Sequence, residues 1–355
     1  MLEGLNVVFY VGWEILSVLL SKAKVDKRKA ALFLMLLLWL LMALRSISLG
    51  INDTSGIYYY AFKRVKILSL KGALNENIFI NEPLMTFFTW MCSKIMNFRF
   101  YIALCSLIPI LSFYKFICNN AVKPIYGVII FWALFFFYES FLIKQMLAIS
   151  LVLFAYEYLK KDQFMKYLLL ILMAGLIHKS AFILIIAYFC CKYVRFDKLF
   201  FLLTIGAMLF GLFFGQTILN FLYKFPLYNF EAYIREGIYG TNGSINFSMF
   251  VYPLLTFLCY FFLRNEKNTI YKKYLCLMFI GCVLNTWSIV VVEFYRLALY
   301  FMTPVCIMIP EAIQNVPVKY RKIINFIILA FFLLYAYKIA FNCNCISYRS
   351  FLYDE

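Results

Sequence analysis

Apolar stretches of near-helical length alternate with short polar segments along the whole chain. A helix needs about 20 residues to cross the hydrocarbon core of a bilayer, so several of these stretches are short for a span. The stretches cover residues 5–20, 30–49, 83–97, 100–117, 124–138, 144–159, 166–177, 179–194, 199–215, 248–263, 274–291, 297–313 and 323–341. We therefore predict an all-α, polytopic integral membrane protein with roughly 11–13 membrane segments, including short or re-entrant helices. The stretch over 166–194 allows one long helix or two half-helices that meet near Gly175 and His178.

The composition favours a membrane protein over a soluble one. Hydrophobic residues make up 65% of the 355 residues, charged residues 14%, and the mean hydropathy is +0.85. Soluble domains average about 25% charged residues, and no soluble core of this size buries so many apolar side chains. No soluble domain or internal repeat interrupts the pattern. Residues 1–355 are therefore predicted to form a single transmembrane domain, with long outer loops at about 50–82 and 216–247.

The net charge of +17 comes largely from Lys and Arg clusters between the apolar stretches. Such clusters mark the cytoplasmic loops of multi-pass membrane proteins, which favours a membrane orientation signal over nucleic-acid binding. With the cluster at 21–29 in the cytoplasm, the loop 50–82 lies outside. The predicted location is the cytoplasmic (inner) membrane of a bacterium, with the bilayer as a partner and no nucleic acid.

The same rule leaves one conflict in the order of the segments. If the stretches 83–97 and 100–117 both crossed the membrane, residues 139–145 would fall inside, against the other basic loops. Either one of the two stretches does not cross, or Lys115 and Lys123 lie outside.

The cysteines and the single histidine predict neither a metal site nor a disulfide framework. Most of the 11 cysteines lie within apolar stretches, where a thiol behaves as a small hydrophobic group. The sequence has no spacing typical of metal ligands, and a single histidine supplies only one imidazole ligand. We expect no metal and no cofactor.

Charged residues inside or at the ends of spanning helices are costly and by default mark function. On the orientation above, those of this chain collect on the outer side: Arg45, Asp53, Glu82, Glu139, Lys144, His178, Lys179, Glu293 and Arg296. Structural charges would be expected on both sides of the membrane, so this clustering favours a functional site.

Each candidate also has a purely structural interpretation. Arg45 could extend to lipid headgroups, or it could contact an anion beside Asp53 in a cleft lined by aromatic residues such as Tyr58. Glu82, followed by Pro83, is also typical of ordinary helix capping.

The pair Lys144–Gln145, His178 and Arg296 likewise allow a structural or a functional interpretation. Lys144 and Gln145 either start a helix in an ion pair with Glu139 or supply a cation and an amide to a phosphate or sugar. His178 is either a satisfied hydrogen-bonding residue or the one imidazole available for acid–base chemistry near neutral pH. Arg296 has Glu293 as its nearest candidate partner, one helical turn before it.

The order of the candidate residues along about 45–301 resembles the motif pattern of the EpsG/Wzy-like family of bacterial polysaccharide polymerases. Members of this family make O-antigen, capsule and exopolysaccharide. The matching elements are Arg45, Gly50, Asp53, Tyr58 and Phe62; Glu82-Pro83; Lys144-Gln145 with Ala148; His178 with Ser180 and Ala181; and Arg296 with Tyr300 and Phe301. The chain departs from the family pattern at Lys144, where the family has Arg, and in a spacing from Gly50 to Asp53 that is one residue longer.

The resemblance implies transfer of a growing glycan from one polyprenyl-diphosphate carrier to the sugar of another carrier-linked repeat unit, on the outer face of the membrane. The diphosphate leaving group needs cations, and the implied binding residues are Arg45, Lys144, Gln145, Arg296, Tyr58 and Tyr300. The acceptor hydroxyl needs a base, for which His178, Asp53 and Glu82 are the candidates. The implied partners are the polyprenyl-diphosphate-linked oligosaccharide and a chain-length regulator protein, and no metal is required.

Two other classes of function compete with the polymerase: a flippase or transporter, and another membrane transferase of one of two kinds. A flippase or transporter of polyprenyl-linked oligosaccharide is expected to have internal repeats and charges near the membrane midplane, and the sequence has neither. A polyprenyl-phosphate-sugar glycosyltransferase favours an acidic pair in the first outer loop, where Asp53 stands alone. An O-acyltransferase favours a histidine with Asn or Asp on its helix, whereas His178 has Lys179 and Ser180 beside it.

Overall fold

A computed structural model describes residues 3–47, 54–193, 198–222, 248–264, 268–289 and 293–346, and their secondary structure is helical throughout. Asp53 and most of the predicted outer loop at 216–247 lie outside these described residues. The chain divides into two compact units, the first comprising residues 1–182 and 316–355 and the second residues 183–315. The all-α prediction is confirmed, whereas the single transmembrane domain stays a prediction.

The first unit contains ten helices among its described residues. In chain order they are α1 (Glu3–Lys22), α2 (Lys27–Ala43), α3 (Tyr59–Ile67), α4 (Leu70–Asn75), α5 (Pro83–Ile95), α6 (Phe98–Asn120), α7 (Pro124–Leu134), α8 (Ile143–Lys160), α9 (Phe164–Ile177) and α16 (Val318–Asn342). A π turn over Thr54–Tyr58 precedes α3, and 3-10 turns over Phe136–Ser140 and Lys179–Ile183 follow α7 and α9.

The helix starts of the first unit follow from local sequence. The Asp26 carboxylate accepts hydrogen bonds from the backbone N–H groups of Arg28 and Lys29 and so caps α2. The Asn97 side chain caps α6 through the N–H of Phe100. Pro83 and Pro124 occupy first positions, of α5 and α7, where the missing N–H costs nothing.

The packing of α2 and α6 fixes the two ends of the first unit. The indole of Trp39, near the end of α2, donates to the carbonyl of Ala103, near the start of α6, at 2.9 Å. The end of α2 therefore lies beside the start of α6. At the other end of α6, Asn120 donates to Glu157 and accepts from Lys160, so α6 and α8 finish together.

The position of α5 bears on the order of the early segments. α5 packs against α3 and α4, and Lys94 near its end donates to the carbonyls of Lys66 and Leu68. Because α2 ends at the same end of the unit where α6 begins, α5 does not run the length of the unit. This geometry is compatible with the first of the two sequence alternatives, in which the stretch over 83–97 does not cross, and the crossing itself stays a prediction.

The second unit is organised around one central helix. Its described helices are α10 (Leu184–Tyr193), α11 (Lys198–Leu222), α12 (Ser248–Leu263), α13 (Thr269–Trp287), α14 (Glu293–Met302) and α15 (Val305–Gln314), and α13 contacts each of the others. The indole of Trp287 donates to the carbonyl of Ala207 at 2.8 Å, which joins α13 to α11.

Two described helices, α6 and α16, are long and apolar enough to cross a membrane by length and composition. The pair α14 and α15, bent by 53°, adds a third if it forms one span. Further apolar helices are shorter, among them Pro124–Leu134 and Phe164–Ile177. The roughly 11–13 segments predicted from the sequence count these shorter helices as well, and that number stays a prediction.

Candidate functional site

The carboxylate of Glu82 joins two of the predicted site residues. Its Oε2 lies 2.6 Å from the Lys144 ammonium, and its Oε1 lies 2.7 Å from Nδ1 of His178. The backbone N–H of Lys179 also points to Oε1, at 3.4 Å. Three segments that are far apart in sequence thus converge on one acidic side chain in the first unit.

Glu82 occupies the N-cap position of α5 with Pro83 after it, as the structural interpretation expects, but its side chain makes no capping hydrogen bond. The backbone carbonyl of Glu82 accepts from the N–H of Thr86, as in any helix start. The carboxylate pairs with Lys144 and His178 instead.

Lys144 is placed by the first turn of α8 and by two aromatic side chains. Its backbone N–H donates to the Tyr58 hydroxyl at 3.2 Å, and its ammonium lies 5.4 Å from the centre of the Phe79 ring. The sequence alternative of an ion pair with Glu139 is wrong, because the ammonium pairs with Glu82 instead. Phe79 was not among the sequence candidates, since an isolated Phe in a loop carries no signal of its own.

A break in the helical path brings His178 to Glu82. His178 follows the last residue of α9, with extended backbone, and its N–H still donates to the carbonyl of Ala174. The following 3-10 turn folds back onto α9, so that the Phe182 ring lies against Gly175. A Cβ at Gly175 would come within 2.2 Å of that ring, so only glycine permits this approach. Of the two sequence alternatives for 166–194, the structure shows two helices interrupted at His178.

The electrostatics of the site keep Glu82 ionised. Burial raises the pKa of its carboxyl, but the hydrogen bond from His178 and the charge of Lys144 outweigh this effect, and the pKa lies below its ordinary value. An ionised carboxylate only accepts, so Nδ1 of His178 carries the proton. The side chains of Lys144 and His178 are 23% and 22% exposed, whereas the Glu82 side chain between them is only 2% exposed.

Arg45 follows shortly after the end of α2, and its side chain is buried. Its guanidinium donates to the carbonyl of Met42 at 2.9 Å and, at 3.4 and 3.5 Å, to the carbonyls of Ser140 and Glu139. Because the residue is only 4% exposed, the interpretation as an arginine that extends to lipid headgroups is wrong. Gln145, one residue after Lys144, is also buried.

The remaining predicted residues do not belong to the described part of the first unit. Arg296 and Tyr300 belong to α14 of the second unit, where Arg296 Nε donates to the Tyr295 hydroxyl at 3.3 Å and Tyr300 is fully buried. Asp53 is outside the described residues. Among the described residues, no group of three or more His, Cys, Asp or Glu side chains is arranged to hold a metal ion.

The sequence model of the EpsG family matches residues 29–352, nearly the whole chain. The chain belongs to the EpsG family. Among curated proteins and solved structures, none matches it. The EpsG match covers the predicted site residues of both units, including Arg45, Glu82, Lys144, His178 and Arg296. Together with the apolar helices, membership of this family supports a membrane enzyme with a general role in polysaccharide polymerisation.

Proposed function

We propose that this EpsG-family protein is a polysaccharide polymerase of the outer face of the bacterial cytoplasmic membrane. It transfers a growing glycan from one polyprenyl-diphosphate carrier to a sugar hydroxyl of a second carrier-linked repeat unit. The observation that carries the proposal is the Glu82 carboxylate, which holds His178 and Lys144 together at one partly exposed surface of the first unit.

In this reaction His178 serves as the base. Nδ1–H of His178 donates a hydrogen bond to Glu82, which leaves the lone pair of the neutral imidazole on Nε2. As the acceptor hydroxyl oxygen forms its bond to the anomeric carbon of the donor sugar, its proton passes to Nε2. The bond from that carbon to the carrier diphosphate breaks, and the diphosphate leaves with the bonding electrons. Glu82 stabilises the imidazolium that results and so acts through His178.

The leaving diphosphate requires positive charge rather than a proton. Arg45 is the buried cation of the first unit that we assign to it, and Arg296 of the second unit is a further candidate. Lys144 is tied to Glu82, so its main contribution in this scheme is to keep Glu82 ionised and in place. The exposed parts of Lys144, with Tyr58 and Gln145 beside it, remain our candidates for contacts to the sugar.

The first prediction tests the reaction in cells. Deletion of the gene should abolish long-chain surface polysaccharide and leave a single capped repeat unit, because the carrier-linked unit is still made and exported. Gel analysis of the extracted surface polysaccharide reads out both species, and the plasmid-borne gene serves as the control. Loss of the single unit as well would contradict the proposal and assign the protein to an earlier step, as a flippase or unit-building transferase.

A further inference from the structure

The segment 54–81, which belongs to the predicted outer loop, exposes apolar side chains that the proposed reaction does not use. Its helix α3 packs against α5, and the buried residues of α3 include Phe62 and Val65. The opposite face carries Tyr60 and Ile67, which are 68% and 73% exposed and lie two helical turns apart. We infer that this face of α3 lies in the interfacial layer of the bilayer, where it binds anionic lipid headgroups.

α3 is too short to cross the membrane. Its nine residues form about 14 Å of helix, whereas the hydrocarbon core of a bilayer is roughly 30 Å thick. Ile57, in the π turn before α3, adds a third exposed apolar side chain next to Tyr60 and Ile67. Exposed apolar side chains that cluster in this way mark an interaction surface. In a membrane protein, a short helix with such a face lies flat in the interface and directs that face toward the acyl chains.

The charge of the same segment indicates which headgroups it meets. Residues 54–81 contain four cations and one carboxylate, a net charge of +3. Arg64 pairs with that carboxylate, so the excess belongs to Lys63, Lys66 and Lys71, which are all exposed. Lysines beside apolar surface extend their ammonium groups to lipid headgroups, and anionic lipids attract them. On the predicted orientation this excess lies outside, where the positive-inside rule does not place it, and a local anionic partner accounts for it.

The aromatic side chains of α3 place one of these cations at the boundary between acyl chains and headgroups. The Lys63 ammonium lies 4.2 Å from the centre of the Tyr59 ring, and the Tyr59 ring meets that of Tyr60 edge to face at 5.9 Å. Tyrosine is enriched at membrane interfaces because its ring is apolar and its hydroxyl is polar. An ammonium group held beside two such rings is therefore at the depth of the lipid phosphates.

The same anchoring sets the depth of the Glu82 site. Tyr58 ends the π turn that leads into α3, and its hydroxyl accepts the backbone N–H of Lys144. Because Tyr58 adjoins α3 directly, a helix that lies in the interface keeps the site near the headgroups. This depth suits a lipid-linked substrate, a link that rests on the proposed function, whereas the anchoring itself does not depend on it.

The experiment measures the depth of single nitroxide labels on the purified full-length protein in nanodiscs. In a background without native cysteines, labels are attached at Tyr60→Cys and Ile67→Cys. Their collisions with oxygen, which concentrates in lipid, are compared with their collisions with a neutral, water-soluble nickel chelate. The matched controls are Asn75→Cys, an exposed polar position in α4, and Phe326→Cys, an exposed position of the long apolar helix α16. We expect the ratio of oxygen to nickel collisions at both α3 positions to exceed that at Asn75→Cys by about threefold or more and to stay below that at Phe326→Cys.

A second arm tests the preference for anionic headgroups. The label at Ile67→Cys is measured in nanodiscs of phosphatidylcholine and in nanodiscs that also contain phosphatidylglycerol, and the anionic lipid should lower the nickel collisions roughly twofold. The double variant Lys63→Gln, Lys66→Gln should remove this difference. The matched control is Lys319→Gln, Lys322→Gln at the start of α16, which should retain it. All four lysines are exposed, so their replacement should not unfold the protein.

Two outcomes would overturn the assignment. Nickel collisions as frequent at Tyr60→Cys and Ile67→Cys as at Asn75→Cys, in both lipid compositions, would show that the face is open to water and available to an acidic glycan or protein instead. The recognition of anionic headgroups would be wrong if phosphatidylglycerol had no effect, or if its effect survived in a double lysine variant that elutes and melts like the wild type. Since no polymer is measured, neither outcome alters the interpretation of the gene deletion.

Discussion

Glu82 is the residue on which the site depends, because it satisfies a cation and an imidazole at the same time. A carboxylate that is 2% exposed would be unstable without such partners. Its two oxygens are divided between them, Oε2 to Lys144 and Oε1 to His178. Neither bond is with a sequence neighbour, so the local interpretation that pairs Lys144 with Glu139 was wrong, and the N-cap position of Glu82 does not account for its side chain.

The residue-scale prediction separates the base from its support. His178→Gln keeps a donor for Glu82 but has no basic nitrogen, so long-chain polymer should fall by two to four orders of magnitude at unchanged membrane abundance. The protein with Lys144→Arg retains the ion pair with Glu82, so its polymer should be near normal in amount and length.

The substitution Glu82→Gln removes the charge that stabilises the imidazolium, so this variant should lose most activity. Gel densitometry of surface polysaccharide, with immunoblots of the membrane fraction, measures all three.

The control is Glu76→Gln, since Glu76 is an acid of the same unit whose partner Arg64 is largely exposed. Exposed ion pairs contribute little to stability, so this variant should match the wild type. Long-chain polymer of normal length from His178→Gln would remove the imidazole from the reaction.

At the scale of elements, the interruption after α9 decides where His178 lies. The helix ends at Ile177 because His178 adopts extended backbone, and the 3-10 turn Lys179–Ile183 reverses the chain toward α9. The reversal requires close contact between Gly175 and the Phe182 ring. The Phe182 ring is 38% exposed, so it can move when a Cβ is added at position 175, but it then leaves its place against α9. The contact between the turn and α9 therefore depends on the absence of a single side-chain carbon.

The element-scale prediction follows from that contact. Gly175→Ala should push the Phe182 ring aside, displace the turn that carries His178 and reduce polymer about tenfold or more, although alanine favours helix. The matched control is Gly12→Ala in α1, where a Cβ would meet no atom within 4 Å. The double variant Gly175→Ala, Phe182→Ala should regain part of the activity. Equal polymer from Gly175→Ala and the wild type would show that the turn tolerates displacement.

At the scale of the whole molecule, the first unit has two chemically different ends. One end holds Arg45, Glu82, Lys144 and His178, and the other holds the termini of α6 and α8 with Lys160. α8 runs from one end to the other, from Lys144 to Lys160. The positive-inside rule predicts that the end with Lys160 faces the cytoplasm.

The molecule-scale prediction concerns orientation. In a background without native cysteines, Lys71→Cys in α4 and Phe100→Cys at the start of α6 should react with a membrane-impermeant maleimide in intact cells. Lys24→Cys and Lys161→Cys should react only after permeabilisation, and all four positions are exposed on the protein surface. Labelling of Lys24→Cys but not Lys71→Cys would reverse the orientation, and protection of Phe100→Cys alone would mean that α5 crosses.

The sequence by itself determined the helical class, most helix positions and the set of polar residues worth testing. These are local properties: a long apolar stretch forms helix in lipid whatever it packs against, and a charge in such a stretch is costly anywhere. It did not reveal α3 and α4, whose polar composition resembles a loop. Only the tertiary structure decided that Lys144 and His178 both pair with Glu82 and that α5 does not run the length of the first unit. These contacts join residues that are distant in sequence. They are set by the packing of α2, α6, α8 and α9, because no local sequence pattern encodes which helix ends meet.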